Sequence, residues 1–125
     1  MPVLTKEILD AWDHRNGPVI LTTVDAQGTP NAIYATCVGR FGDDALVVAD
    51  NYFSKTRKNL AAGCQGAILF MTDANKAYQV KGCMEYHSSG PVFESMKQWN
   101  PPKHPGHAAA LLRVEAVFSG ARQLV

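Results

Sequence analysis

With 125 residues, 46% of them hydrophobic and 18% charged, and a formal net charge of +1, the chain fits one domain over residues 1–125 with apolar side chains enough for a core. So even a balance gives no electrostatic basis for binding nucleic acid, and the apolar runs are far short of the ~20 residues of a membrane span. Lys6, Glu7 and Asp10 near the start do not read as a signal peptide, and Cys37, Cys64 and Cys83 include no C-x-x-C pair, so we expect a cytoplasmic protein with buried free thiols.

Leu4, Ile8 and Trp12 recur every four residues and place one apolar face on a helix. Thr5 is its expected cap, Leu4 and Leu9 a hydrophobic staple, and Asn16-Gly17 its end. The β-branched run Val19–Val24 reads as a strand, and Asp25-Ala26-Gln27-Gly28 as a turn into a second, long strand over Asn31–Phe41. Gly42-Asp43-Asp44 then turns the chain back into Leu46–Ala49, so three successive antiparallel strands predict a meander.

Asp50 and Asn51 stop that strand, and a short helix follows, capped by Ser54 and closed at Gly63. Ala67–Met71 and Ala77–Met84 form a second hairpin about Asp73-Ala74-Asn75. Gly90 and Pro91 fit the cap and first position of a helix bearing Val92, Phe93, Met96 and Trp99, which Asn100-Pro101-Pro102 closes. A loop over 103–107 leads to a last strand, Ala109–Phe118. Six short strands with few helices predict a closed or partly closed barrel rather than an open parallel sheet.

The chemistry concentrates in the segment from Val48 to Asn59. Lys55, Arg57 and Lys58 crowd the first turn of the helix after Ser54, where the macrodipole is already positive and acidic residues are favoured. Unpaired N–H groups, the Ser54 and Thr56 hydroxyls and Lys55 converging there suit a phosphate; cationic side chains directed into water account for the same pattern equally well. Nucleotide-loop, zinc-protease, hydrolase and calcium motifs are absent. His104 and His107 flank Pro105-Gly106 and read as loop histidines rather than metal ligands, so no metal is expected; Trp99 reads as a core aromatic.

Gly28-Thr29-Pro30-Asn31-Ala32, Val47-Val48-Ala49-Asp50, Ser54-Lys55-Thr56, Asn59-Leu60 and Tyr78-Gln79-Val80-Lys81-Gly82 together resemble the pyridoxamine 5′-phosphate oxidase-like FMN-binding split-barrel family, and within it the small FMN-binding proteins of anaerobic bacteria. The resemblance implies a six-stranded antiparallel split barrel that forms a homodimer with FMN in grooves between the subunits. By the same resemblance Ser54, Lys55 and Thr56 bind the FMN phosphate, supported by Asn59. The backbone of Val48, Ala49, Asp50 and Asn51 then lies along the flavin ring, and Asn31 with Ala32 faces its pyrimidine edge and N5 side.

These 125 residues include no arginine-rich C-terminal segment of the kind that serves substrate binding in true pyridoxamine phosphate oxidases, and no evident acid or base above the flavin. The expectation is therefore an FMN-dependent oxidoreductase with a redox partner or small-molecule substrate other than vitamin B6. A one-electron carrier and a binder of another phosphorylated ligand are the rival expectations.

Overall fold

The computed structural model describes residues 3–125, and in them one antiparallel sheet wraps an apolar interior. Helix α1 (Lys6–Asp13) precedes strands β1 (Val19–Val24), β2 (Pro30–Ala35), β3 (Val38–Arg40) and β4 (Ala45–Asp50). Helix α2 (Lys55–Ala62), β5 (Gln65–Met71), β6 (Ala77–His87), helix α3 (Gly90–Trp99), β7 (Ala108–Ser119) and β8 (Arg122–Gln123) follow. In β1 the alternation is plain: Val19, Leu21 and Thr23 point inward, fully buried, while Ile20, Thr22 and Val24 face outward and are half-exposed.

The strand order is β2-β1-β5-β6-β7-β4-β3, with β8 added to β7. Strands β2 and β3 are therefore opposite edges of the sheet, yet only Thr36 and Cys37 separate them in the chain. Three Cα–Cα steps reach at most ~11 Å, so the two edges must meet, and the sheet is curled into a split barrel. This corrects two expectations. The long strand over Asn31–Phe41 is broken at Thr36-Cys37, and the meander does not form, because Ala35 pairs with Val19 on β1 whereas Cys37 already accepts the Ala49 N–H of β4. With that break and the short β8, six expected strands become eight.

Strand β4 is buried along its whole length. Leu46 and Val48 enter the barrel core with Ile8, Trp12, Leu21, Ile68 and Val80. Ala45, Val47 and Ala49 face the other way, under Val92 and Met96 of α3. Burial on both faces explains the unbroken apolar reading of this strand. Trp99 is half-buried in that second cluster, and its indole lies so close over Gly39 that an added Cβ would sit 2.8 Å from its Cε2.

Thr5, Ser54 and Ser89 occupy the helix N-cap positions, but none makes a side-chain cap bond. Ser89, not Gly90, precedes α3, and α1 ends at Asp13, before Asn16. Leu124 and Val125 pack against the barrel core, tied to Val117 of β7. All three cysteines are free thiols, but half-buried rather than buried. Among the described residues no helix is long and apolar enough to cross a membrane.

Candidate functional site

At the split between the two sheet edges lies a groove of about 440 Å³. The inward-leaning side of β2 supplies Asn31, Ile33 and Ala35; the end of β4 and the turn after it supply Ala49, Asn51 and Phe53; the start of α2 supplies Ser54, Lys55 and Thr56. One end is thus polar and cationic, and the middle is apolar. The volume falls in the ~300–1,000 Å³ range of small-molecule sites.

The cationic end depends on how α2 begins. Its first backbone bond runs from the Lys58 N–H to the Ser54 carbonyl at 3.3 Å, so the N–H groups of Lys55, Thr56 and Arg57 precede the hydrogen-bond ladder. Lys55 and Lys58 are exposed and have no ion-pair partner among the described residues. Arg57 differs from both. It grips Asp50 with two bonds, Nε to Oδ2 at 2.7 Å and Nη2 to Oδ1 at 2.9 Å, so one of the three crowded charges is answered inside the protein.

Asp50 is the hub of the turn from β4 into α2. Its fully buried carboxylate also accepts the Tyr86 hydroxyl and, at 3.1 Å, the Phe53 N–H. Burial alone would raise its pKa, but the Arg57 guanidinium, the Tyr86 hydroxyl and the Phe53 N–H outweigh it and hold the carboxyl below the ordinary value. Burial, and then the hydrogen bond to Asp50, push the Tyr86 phenol up to about 12.

A pH prediction follows from the depressed carboxyl. Because the unfolded chain would take up a proton on Asp50 before the folded one does, its contribution is present above the unfolded value of about 3.9 and is lost as pH falls further through the folded value. Urea midpoints are therefore expected to hold between about pH 5 and 7 and to fall below about pH 4. An Asp50→Asn variant should show a shallower acid decline; equal slopes would remove Asp50 from this role.

Neighbouring polar groups fasten the walls. The Asn31 amide donates to the Thr56 Oγ1 at 2.9 Å, and the Asn59 amide to the Thr23 Oγ1 at 3.0 Å, which ties α2 to β2 and β1. Asn51 and Asn100 exchange two amide bonds, of 3.1 and 2.9 Å, and the Asn51 Oδ1 also accepts the Gly106 N–H. These bonds hold the 101–107 loop against the groove and bring in His104, whose Nδ1 lies 3.1 Å from the Tyr52 hydroxyl with the rings edge to face.

Of the residues singled out in the sequence, Asn31, Ala49, Asn51, Ser54, Lys55 and Thr56 converge on this groove. Asn59 lines a second cavity beyond Lys55. Ala32 is exposed, Val48 is in the barrel core, and Asp50 turns its carboxylate to Arg57 and Tyr86. In the β4 end, the Ala49 N–H is bonded to Cys37 and the Asn51 N–H to Ala49. Tyr52, Phe53, Cys37 and His104 also line the groove. No spacing in the sequence marks them, since His104 arrives from a loop fifty-two residues after Tyr52.

The family model for pyridoxamine 5′-phosphate oxidase matches residues 4–119. The chain belongs to the pyridoxamine 5′-phosphate oxidase family. Within its split-barrel fold, the crystal structure of HupZ from Group A Streptococcus superposes with a TM-score of 0.78 at 24% identity, covering 92% of each chain. An FMN-binding protein from Syntrophomonas wolfei superposes with a TM-score of 0.70 at 20% identity, over 93% of this chain and 84% of that one. An uncharacterised protein of Methanocaldococcus jannaschii is 25% identical over 121 residues, 93% of this chain and 80% of its own length.

Proposed function

We propose that this member of the family is an FMN-binding oxidoreductase that works as a homodimer in the cytoplasm. The observation that carries the reading is the division of the groove. Free α2 N–H groups, the Ser54 hydroxyl and Lys55 stand at one end, and Ile33, Ala35, Ala49 and Phe53 form an apolar wall beside them. That donor set fits a phosphate ester joined to a flat, largely apolar ring. Ser54 and Lys55 would hold the phosphate, with Thr56 and Asn59 fixing α2 through their bonds to Asn31 and Thr23. Asn31, beside Ala32 on the edge strand, and the backbone from Val48 to Asn51 at the end of β4 would border the ring.

Bound FMN would supply the hydride or electron chemistry at its N5. The chain's own contribution is to orient it and to exclude water along the apolar wall. Delivery of a hydride to a small acceptor also requires a proton, and the His104 imidazole, held by Tyr52, lines the same groove. That placement favours an enzyme over a one-electron carrier.

The dimer is supported by the outer face of the sheet. Ile20 pairs with both Tyr34 and Leu69, which makes an apolar row across β2, β1 and β5, and Tyr34 is 75% exposed on it. Met71 adds to the same uncovered face, and Tyr52 stands 73% exposed at the groove mouth.

An absorption spectrum of the purified protein, before and after adding FMN, tests the reading. Flavin bands at roughly 370 and 450 nm are expected, a property of the cofactor. Lys55→Ala should then weaken FMN binding by roughly 1.5 kcal/mol, the low end for a hydrogen bond to a charged group, because Lys55 is exposed and its charge is screened. A calorimetric titration measures it; unchanged affinity would remove Lys55 from the phosphate site.

A further inference from the structure

Lys55 borders a second space as well as the groove. A second cavity, of about 630 Å³, opens between α2 and the β1–β2 turn, and it shares Asn31 and Lys55 with the first. An FMN phosphate at the start of α2 would therefore lie beside Asn31 and Lys55, the wall that the two cavities share. We infer that the site accepts a flavin dinucleotide, with the adenylate half of FAD in this second cavity; the inference rests on the flavin reading above.

The lining has the chemistry such a group needs. Lys58 follows Lys55 by three residues, a spacing of about 5–6 Å on one helix face, which two linked phosphates can bridge. Lys58 has no ion-pair partner among the described residues. Across the cavity Asp25 accepts the Gln27 and Thr29 N–H groups, both at 2.9 Å and both on Oδ1. Its Oδ2 is left for the hydroxyls of a ribose, as a carboxylate commonly serves. The exposed Gln27 amide offers donor and acceptor to a base edge, and Val24, Pro30 and Ala62 provide apolar surface for the ring.

Isothermal titration of the purified protein with FMN and with FAD tests this. FAD is expected to bind more tightly than FMN. Lys58→Ala, an exposed substitution that leaves the core intact, should weaken FAD by about tenfold and FMN by less than about twofold. Lys55→Ala should weaken both flavins alike. If FAD binds no tighter than FMN, or Lys58→Ala weakens both equally, the second cavity is not a nucleotide subsite, although the FMN reading stands. Binding of neither flavin overturns both readings together.

Discussion

Gly82→Ala is expected to destabilise the fold by about 3 kcal/mol or more, the upper range for overpacking, because the atoms in the way are backbone. Gly82 sits at the one register shift between β6 and β7, where Lys81 pairs with Ala116 but Gly82 already pairs with Val114. Glu115 is the extra residue of this bulge, and the added twist there helps the sheet to coil into a barrel. A Cβ on Gly82 would overlap the Arg113 carbonyl and crowd the Glu115 nitrogen at 3.2 Å. Neither can move without parting the two longest strands of the sheet. Gly66, the partner of Gly82 on β5, is the milder comparison: an added Cβ there meets first the Met84 side chain, which can shift, and then the Thr22 carbonyl at 3.1 Å, with no backbone overlap like that at Gly82. Thermal or urea unfolding of the two variants should rank Gly82→Ala well below Gly66→Ala. Equal losses would mean that β6 and β7 can separate locally.

The second large effect is expected at Asp50→Ala. Truncation would leave the Tyr86 hydroxyl and the Phe53 N–H without their acceptor and Arg57 without its partner. Loss of one member of a buried ion pair costs about 3–5 kcal/mol, and we expect about 3 here, because the Arg57 side chain is 41% exposed and can rehydrate. At this chain length that corresponds to a fall in Tm of roughly 10 °C. Asp50 also orders the turn that delivers Ser54 and Lys55 to the groove, so flavin affinity should fall in the same variant although the carboxylate is remote from the phosphate donors. Arg57→Ala should cost at least as much, because it leaves the fully buried Asp50 carboxylate without its cation. A loss at Asp50→Ala below about 1 kcal/mol would show that the turn holds itself without the buried carboxylate.

Much of this was legible locally. The run Val19–Val24 is a strand with the same bounds in the structure, because β-branched residues and alternating burial need no distant partner to be read. Six of the residues that the β4–α2 segment and Asn31 singled out do meet at one groove, since a strand, a tight turn and a helix start place them by local geometry. The resemblance in those same motifs agrees with the family match over residues 4–119.

What the amino-acid order determined by itself is the three helices, the strands β1, β4, β5, β6 and β7, and the cationic start of α2. The tertiary structure alone decided three things. It broke Asn31–Phe41 at Thr36-Cys37, where no glycine or proline marks a stop, because barrel closure requires one continuous stretch to serve both edges. It neutralised Arg57 through Asp50, stabilised by Tyr86 from a strand thirty-six residues further on. It also carried His104 to Tyr52 through the Asn51–Asn100 amide pair. Propensity and periodicity act between near neighbours, whereas each of these contacts joins segments that only the closing of the sheet brings within hydrogen-bond reach.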